Sequence, residues 1–388
     1  MRPRICILVF SQVAYDSRVL REITYASREF SVDVIGYGDW SPPQGVRYFQ
    51  LPKTKRSRAW LARYTAALVM GKLVPSTYDR LFWMKKEYVA ARQLLERGNY
   101  DLIHANDWDA LPVAVRAAEG SGTKVLFDAH EYTPEQEADK TLWRWLVKPY
   151  RMQLFKTYLP GIHSMTTVSE GLRDLYRQHW GKDPVVVMNA RPFRAFKFKA
   201  VDPDCIQLVY HGYALRMRYL EDYIQMMPHL PQNYKLNMLA VAGDAPYLES
   251  LKKMAESVAP GRVTFYGQMP SDKLVEWVSR FDIGLPSGRV LNMNTQFTLG
   301  NKFFDYVMAG LAVLVSPQPS YERLIVAHGI GLVSASPEPL DMAKALQGSS
   351  ISEIDDMKKN SLKLAQILNA ESELDKLMRV YHRTLELS

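Results

Sequence analysis

Short apolar runs alternate with longer amphipathic stretches along this chain, and the whole alternation occurs twice. In the first half, Ile5–Phe10 is an uninterrupted apolar run, which is typical of a parallel strand buried on both faces. The pattern predicts further strands at Val32–Tyr37, Asp101–Ala105, Lys124–Asp128, Met165–Val168 and Val185–Met188, with helices at Asp16–Glu29, Ala110–Glu119 and Glu170–His179. Strands and helices that alternate in this way form a parallel sheet covered by helices on both faces.

A second series of strands and helices begins after the segment Asn189–Phe193. The pattern predicts strands at Ile206–His211, Leu236–Ala242, Val263–Tyr266, Asp282–Leu285 and Ala312–Ser316, with helices at Leu220–Met227, Pro246–Ser257, Ser271–Arg280 and Asn301–Ala309. The sequence therefore predicts an α/β protein of two Rossmann-like, doubly wound parallel-sheet domains that face each other across a cleft. Ligands bind such domains at the carboxyl ends of the strands, so we expect the site there.

The domain boundaries follow from length and from the irregular segment in the middle. With 388 residues, the chain is longer than one compact core usually supports. We place the first domain at residues 1–192 and the second at residues 193–370. The connection lies near Arg191–Asp204, where Pro192 and Pro203 flank a basic segment without a regular pattern.

The stretch from Thr298 to Val315 predicts a helix that begins at Gly300 and Asn301, ends at Gly310 and is followed by a buried strand. A helix N-terminus presents free backbone N–H groups and the positive end of the helix dipole, which suit an anion. Lys302 lies in that first turn, where its charge opposes the dipole, so a bound anion would account for it. Asp305 follows one turn later and could bind a sugar hydroxyl. The alternative is a surface helix whose Lys302 is solvated.

The block from Asn301 to Tyr306, followed by Gly310, resembles the donor-site helix of retaining GT-B glycosyltransferases of the family 4 type. It is similar to a divergent branch of that family, which has an Asn-Lys pair in this turn. Most of the family has two glutamates eight positions apart, where this chain has Phe297 and Asp305. The first acid is therefore absent and the second is shorter. The resemblance also implies that residues 371–388 form a C-terminal helix that crosses back to the first domain.

Two arginines, Arg216 and Arg218, follow the strand that is predicted to end at His211. A guanidinium group binds phosphate with two parallel hydrogen bonds, which lysine cannot do. The family has a glycine and then a basic residue six positions later, which are Gly212 and Arg218 here, and the resemblance implies that both bind the donor. Arg216 would take the place of an arginine that normally follows the glycine. The resemblance further implies that the nucleotide base binds near Gln268. The alternative is a solvated helix start.

Polar residues follow two neighbouring predicted strands in the first half. Asp107 comes after Asp101–Ala105, and His130 and Glu131 come after Lys124–Asp128, so all three are expected at one edge of the sheet. By resemblance, His130 matches a family histidine that contacts the donor sugar or the acceptor, and Asp107 and Glu131 lie on the acceptor side. Alternatively, Asp107 caps the next helix and Glu131 is solvated.

Asp16 and Arg18 follow the first strand in an Asp-x-Arg-Val pattern that similar chains also show. The resemblance places both on the acceptor side. The alternative is structural, because Asp16 is a good N-cap and Arg18 can pair with Glu22 one turn later.

The net charge of +8 fits nucleic acid, an anionic membrane surface or an anionic substrate. The sequence has no zinc-ligand spacing and no RNA-recognition signature, so we expect no nucleic-acid partner. Cys6 and Cys205 cannot form a disulfide framework and fit a reducing cytoplasm. The apolar runs are too short to span a bilayer or to serve as a signal peptide, so we expect a cytoplasmic protein.

Cations and aromatic residues are interleaved in two segments. The first has Lys53, Lys55, Arg56, Arg58 and Arg63 around Trp60 and Tyr64, and the second has Arg144, Lys148 and Arg151 among Trp143, Trp145, Tyr150 and Phe155. Such a mixture is typical of surfaces that bind a membrane interface, so we expect peripheral attachment to the inner face of an anionic membrane. The alternative is that the aromatic residues belong to the core.

The resemblance implies a retaining hexosyltransferase that moves a sugar from a nucleotide-diphosphate sugar to the hydroxyl of a lipid-linked or polysaccharide glycan. Arg218, Lys302 and the helix start would stabilise charge on the leaving diphosphate, so we expect that neither a metal nor a cofactor is required. The resemblance implies that the departing phosphate oxygen takes the acceptor's proton. Two alternatives stay open: an enzyme similar to nucleotide-sugar 2-epimerases, and a non-catalytic nucleotide-sugar-binding subunit, which Phe297 in place of the first acid would fit.

Overall fold

The computed structural model describes residues 2–286 and 288–387. The chain forms two compact units, each with its own parallel sheet. The first unit runs to Met188 and also includes Asn292–Thr295 and the residues from Glu373 onward, and the second consists of Asn189–Leu291 and Gln296–Ser372. The prediction of two Rossmann-like α/β domains with parallel sheets is confirmed.

The units change at Met188 rather than at residue 192. The reason lies in two side chains of the intervening segment. Asn189 donates a hydrogen bond to Asn301 of the second unit at 2.7 Å, and Arg191 forms an ion pair with Asp305 of the same unit. These contacts attach residues 189–191 to the second unit.

Seven strands form the sheet of the first unit. They are β1 (Arg4–Gln12), β2 (Ser31–Tyr37), β3 (Arg47–Gln50), β4 (Leu102–Asn106), β5 (Lys124–Ala129), β6 (Ser164–Thr167) and β7 (Val185–Val186). All pair in parallel, in the spatial order β3-β2-β1-β4-β5-β6-β7. Ile5 and Leu8 of the central strand are fully buried, as an uninterrupted apolar run predicts.

The strands of the first unit are connected through helices. They are α1 (Ser17–Glu29), α2 (Arg58–Gly71), α3 (Ser76–Trp83), α4 (Lys86–Gly98), α5 (Ala110–Ala118), α6 (Lys148–Tyr158) and α7 (Glu170–Trp180), and a π-helical turn at Trp143–Val147 precedes α6. The predicted helices are found within a few residues of their expected bounds. β3 and α2–α4 lie in a stretch for which the sequence pattern predicted no element.

Six strands form the sheet of the second unit, in the order β10-β9-β8-β11-β12-β13. They are β8 (Ile206–Ala214), β9 (Tyr234–Ala242), β10 (Val263–Tyr266), β11 (Ile283–Gly284), β12 (Ala312–Val315) and β13 (Gly331–Val333). The remaining helices are α8 (Leu220–Met226), α9 (Ala245–Val258), α10 (Ser271–Val278), α11 (Met293–Phe297), α12 (Asn301–Met308), α13 (Pro319–His328), α14 (Pro339–Gln347), α15 (Ile351–Ile367) and α16 (Ala370–Glu386). Within the described ranges, none of the helices has the length and apolar character to cross a membrane.

The helix α12 is fixed by its C-terminus and by a close approach to β11. Gly310 has φ of +72°, and the N–H groups of Gly310 and Leu311 donate to the carbonyls of Val307 and Tyr306 in a Schellman motif. An added Cβ at Gly284 of β11 would lie 2.3 Å from the Tyr306 ring, so glycine is required for this packing. The helix predicted to end at Gly310 is therefore found with its stop in place.

The end of α16 belongs to the first unit. Tyr381 is fully buried, and its hydroxyl lies 2.7 Å from Nδ1 of His104 in β4. Thr384 forms a second hydrogen bond, at 2.6 Å, with Ser164 of β6. These two contacts attach the C-terminal helix to strands of the first sheet.

Candidate functional site

In the second unit, β8 and the first turn of α12 approach each other at a glycine. Gly212 has φ of +136°, which other residues rarely adopt, and an added Cβ would lie 2.9 Å from Lys302 Cε. Lys302 Nζ lies 5.1 Å from the centre of the Tyr210 ring. Glycine at position 212 therefore leaves room for the Lys302 side chain against the end of β8.

Lys302 and Arg218 are neighbouring cations whose charges repel each other. Burial lowers the pKa of Lys302 to about 7, Arg218 acts in the same direction, and Asp305 offsets them only in part. In the described part of the chain, neither cation forms a salt bridge with a carboxylate. A bound anion would remove their repulsion and restore the charge of Lys302, so the arrangement favours anion binding.

The start of α12 adds backbone groups to these cations. Gly300 is the exposed, extended N-cap, and its N–H donates to the Tyr321 hydroxyl at 2.8 Å. Asn301 is also exposed, and its side chain accepts a hydrogen bond from Asn189. The positive end of the helix dipole therefore lies beside Lys302, and a third positive element joins the two cations.

Asp305 lies inside the second unit, with 1% of its surface exposed. Both of its oxygens accept hydrogen bonds from Arg191, the longer one at 3.1 Å from Nη2. Nε2 of His211 lies 3.4 Å from the same carboxylate, and burial lowers the pKa of His211 to about 3, so the imidazole is neutral. In this structure Asp305 holds Arg191 beside α12.

The other two residues expected to contact the donor are on the surface. Arg216 is exposed, and its Nε lies 3.1 Å from Oδ2 of Asp244, the residue that caps α9. Gln268 lies in the exposed turn after β10. Arg216 therefore differs from Arg218, because it already has a carboxylate partner.

In the first unit, His130 follows β5 and contacts two acidic or amide groups. Its Nε2 lies 2.9 Å from Oδ2 of Asp128 and 3.2 Å from Oδ1 of Asn106. Burial alone would lower the pKa of His130, but the Asp128 carboxylate outweighs it and raises the pKa to about 9. His130 is therefore a cation at neutral pH, and it can donate hydrogen bonds but cannot take up a further proton.

The carboxylate that charges His130 is itself held by Arg18. Asp128 is fully buried and accepts two hydrogen bonds from Arg18, at 2.9 and 3.0 Å, and one from Thr166 at 2.7 Å. Burial would raise the pKa of Asp128, but Arg18 and His130 hold it well below its usual range. Arg18 is only 6% exposed. Arg18 therefore influences His130 only indirectly, by holding Asp128, and it is too buried to contact a ligand extensively.

Glu22, His104 and Asp128 place three donor atoms within 4.8 Å of one another, which could suggest a metal site. Arg18 lies 3.0 Å from Glu22 and also pairs with Asp128, so a cation already occupies the space between the two carboxyl groups, and burial raises the pKa of Glu22 to about 7. Nδ1 of His104 is hydrogen-bonded to Tyr381. We therefore interpret the group as an internal charge network.

Asp16, Asp107 and Glu131 have different surroundings. Asp16 caps α1, accepting from the Val19 N–H at 3.2 Å, so its side chain stabilises a helix. Asp107 has φ of +68° and accepts from its neighbour's N–H. Burial, with help from Asp107, raises the pKa of Glu131 to about 7, and its Oε2 has no partner among the described residues. The Glu131 carboxyl still has a side-chain hydrogen bond with Asn294, so only Oε2 is open to a ligand.

A second polar cluster surrounds Trp108, a residue that the sequence pattern did not mark as functional. The Arg151 guanidinium lies 4.2 Å and Lys85 Nζ lies 5.9 Å from the centres of the Trp108 ring system. Burial, and to a lesser extent the charge of Asp107, raises the pKa of the adjacent Asp109 to about 7. The cluster offers an aromatic face, two cations and a protonatable carboxyl, which come from the loop after β4, the start of α4 and the start of α6.

Two sequence-family models match the chain. The model described as Glycosyltransferase Family 4 matches residues 20–190. The model described as Glycosyl transferases group 1 matches residues 193–360. Together they match most of both units. No curated protein is similar enough to match the sequence.

Solved structures share the fold at low sequence identity. Sucrose-phosphate synthase from Thermosynechococcus elongatus has a TM-score of 0.69 at 16% identity, over 100% of both chains. HepE from Anabaena, in complex with UDP and glucose, has a TM-score of 0.67 at 12% identity, over 98% of this chain and 100% of its own. Trehalose 6-phosphate synthase from Burkholderia multivorans has a TM-score of 0.67 at 13% identity, over 99% and 97%.

Proposed function

Because the chain belongs to the GT-B glycosyltransferases of the family 4 type, we propose that it transfers a hexosyl group from a nucleotide-diphosphate sugar to an acceptor hydroxyl with retention of configuration. The observation that carries the proposal is the pair Lys302 and Arg218 beside the start of α12, two cations that form no salt bridge with a carboxylate among the described residues. The structure of HepE with UDP and glucose supports the donor class.

The site chemistry explains why positive charge is needed. During transfer, the bond between the anomeric carbon and the diphosphate oxygen breaks, and negative charge grows on the diphosphate. Arg218, Lys302 and the N–H groups that begin α12 stabilise that charge, so the proposal requires no metal. The acceptor oxygen bonds to the anomeric carbon on the same face, and the departing phosphate oxygen takes the acceptor's proton.

On the first unit, His130 is proposed to donate a hydrogen bond to the donor sugar or the acceptor. Nε2 is occupied by Asp128 and Asn106, so Nδ1 is the nitrogen available. Its positive charge excludes a role as general base. Glu131 and Asp107 are proposed to contact the acceptor.

Three further residues are proposed to complete the donor contacts. Arg216 adds positive charge near the diphosphate while it stays paired with Asp244. Backbone atoms near Gln268 hold the base. Both Asp305 oxygens accept hydrogen bonds from Arg191 in this structure. Asp305 therefore binds ribose hydroxyls only if a hydroxyl replaces Arg191 at one of these oxygens.

The acceptor is proposed to be a lipid-linked or polysaccharide glycan, met at the inner face of an anionic membrane. The net charge of +8 supports such a location. The cluster of Trp108, Arg151 and Lys85 supports a glycan as the acceptor, because an aromatic face flanked by polar groups suits a sugar ring.

Thermal unfolding of the purified protein with a set of nucleoside diphosphates and nucleotide-sugars tests the proposal. A ligand that binds only the folded state raises the unfolding temperature. We expect one diphosphate to raise it in the wild type and not in Lys302→Ala, with Lys253→Ala as a matched control on exposed α9. The stabilising donor is then tested for transfer to a panel of glycan acceptors. Absence of a shift with every nucleotide would refute the proposal.

A non-catalytic nucleotide-sugar binder is the second candidate. Phe297 stands where the family has its first donor-site acid, and Asp305 is engaged by Arg191. Donor binding without turnover or donor conversion across the whole acceptor panel would favour it over the enzyme. Donor conversion without any acceptor would instead indicate an epimerase-like reaction.

A further inference from the structure

Between Asp39 and Asp79 the chain has no acidic residue. The same stretch carries seven cations: Arg47, Lys53, Lys55, Arg56, Arg58, Arg63 and Lys72. It contains α2 and the turn that leads to α3. Arg47 and Arg56 pair with Asp33 and Glu87 outside the stretch, so five of the seven cations have no carboxylate partner among the described residues.

One face of α2 is apolar and exposed. Leu61, Val69 and Met70 are 58%, 41% and 51% exposed. Residues 61, 65 and 69 and residues 62, 66 and 70 form two adjacent rows along the helix, because positions four apart lie on one side. Leu73 and Val74, in the turn that follows, are 80% and 48% exposed. The apolar surface thus continues past the end of the helix.

The opposite side of α2 is packed, so the exposed face cannot simply rotate inward. Leu68 and Gly71 are buried. An added Cβ at Gly71 would lie 2.0 Å from the Tyr78 ring, which shows how closely α3 approaches. Ser57 caps the helix start by accepting from the Trp60 N–H. The orientation of α2 is therefore fixed by its neighbours.

In the second segment of interleaved cations and aromatic residues, most of the aromatic side chains are buried. Trp143, Tyr150 and Phe155 are buried, and Arg151 lies over Trp108. Trp145, however, is 53% exposed and carries Lys72 Nζ at 3.7 Å from its ring centre. Trp145 thus extends the surface of α2, while most of that segment serves the core.

Contiguous exposed apolar patches on soluble proteins often mark sites of interaction with a protein or a membrane. A second copy of the chain is a poor occupant, because self-pairing would bring cations against cations with no acid between them. An anionic bilayer offers acyl chains for Leu61, Val69 and Leu73 and negative headgroups for the cations that flank them. Charge complementarity therefore selects a lipid surface.

We propose that the exposed face of α2, together with the turn Lys72–Val74, docks on an anionic lipid bilayer. This surface, called the α2 face below, consists of Leu61, Val69, Met70, Leu73 and Val74. The inference rests on the proposed function for its purpose, which is access to a membrane-borne acceptor, but its test is independent of turnover.

Co-sedimentation with vesicles of phosphatidylglycerol and phosphatidylcholine, compared with vesicles of phosphatidylcholine alone, is the first test. We expect binding to the mixed vesicles that falls on the order of tenfold in Arg58→Glu/Arg63→Glu and that weakens with salt. A similar loss is expected in Val69→Ser/Leu73→Ser. Lys253→Glu/Lys363→Glu and Val326→Ser, which change exposed residues of the second unit, should bind as the wild type does.

Insertion is tested with an environment-sensitive fluorophore on Leu73→Cys, in a Cys205→Ser background that leaves only the buried Cys6. A blue shift on mixed vesicles is expected, and the same label on Val326→Cys should not shift. Equal binding to both vesicle types, wild-type binding by both α2 variants, or a dimer that Val69→Ser/Leu73→Ser dissociates without any vesicle effect would each overturn the proposal. Nucleoside-diphosphate binding by the same variants is measured in parallel, so that failure of the proposed function is seen separately.

Discussion

At the scale of single residues, Arg216 and Arg218 provide a matched pair. Arg216 has Asp244 as a partner, whereas Arg218 has no carboxylate partner in the described structure. We expect Arg218→Ala to weaken nucleoside-diphosphate binding by about 2–4 kcal/mol, as loss of a charged partner does, and Arg216→Ala to weaken it much less. Isothermal titration calorimetry measures both. Arg218→Lys should bind better than Arg218→Ala, and equal losses at the two positions would contradict the assignment.

Lys302 gives a prediction about protons. Its pKa is lowered to about 7, so at about pH 8 much of it is neutral before a ligand binds. A diphosphate raises that pKa, and binding should therefore take up a proton. The observed binding enthalpy should differ between buffers of different ionisation enthalpy. The difference should vanish in Lys302→Met and persist in the control Lys253→Met. Binding without proton uptake in the wild type would place the anion elsewhere.

His130 should affect turnover more than diphosphate affinity, because Arg218 and Lys302 belong to the other unit. His130→Ala should lose most transfer activity, and His130→Gln, which still donates a hydrogen bond, should keep more.

Asp128 raises the pKa of His130 from 6.5 to about 9, so this charge stabilises the fold fully below pH 6.5 and the contribution is lost as pH rises through about 9. Urea unfolding at several pH values should show that loss in the wild type and not in His130→Gln.

Single residues also show where sequence reasoning stops. The alternatives for Asp16 and Arg18 can be read from local spacing, and the structure contains both the cap and the pair with Glu22. The link from Arg18 to Asp128, 110 positions away, joins a side chain of α1 to one of β5 and has no local signal. The same holds for Arg191, whose contact with Asp305 spans 114 positions.

At the scale of elements, Gly212 connects β8 to the proposed anion site. Gly212→Ala combines a strained φ of +136° with a contact of 2.9 Å to Lys302 Cε. We expect a loss of stability of about 1–3 kcal/mol together with weaker diphosphate binding, because Lys302 must move. Gly261→Ala is the matched control, since it has φ of +67° and nothing within 4 Å. The control should lose stability only, and an intact diphosphate affinity in Gly212→Ala would argue against a role for the glycine.

Elements were predictable where their ends carry a chemical signal. The helix α12 could be placed because Gly300 and Gly310 bound it and a β-branched strand follows. The helix α2 gave no such signal, because its exposed face is as apolar as its buried one and no helical period stands out. The short strands β3 and β13 are exposed or half-buried edge strands, so they lack the continuous apolar run that marked β1.

At the scale of the whole molecule, the chain order does not match the division into units. The repeated series of strands and helices predicts two domains and does not place the C-terminal helix; the family resemblance implied that this helix crosses back, and the residues from Glu373 onward do belong to the first unit. Amphipathic periodicity shows that a terminal helix needs a partner and does not say which sheet supplies it. In the structure, the hydrogen bond between Tyr381 and His104, which are 277 positions apart, attaches this helix to the first sheet.

The same contact gives a prediction for the molecule as a whole. Ending the chain at Ser372 removes Leu377 and Tyr381, both fully buried in the first unit, so we expect faster proteolysis within residues 2–188. Diphosphate binding should persist, because Arg218 and Lys302 lie in the second unit. Tyr381→Phe is the milder variant and should cost about 1–3 kcal/mol, since it leaves His104 Nδ1 buried without its partner. Tyr15→Phe, at an 84% exposed site of the same unit, is the control. If truncation instead abolished diphosphate binding and left the first unit resistant to protease, the terminal helix would have to stabilise the second unit.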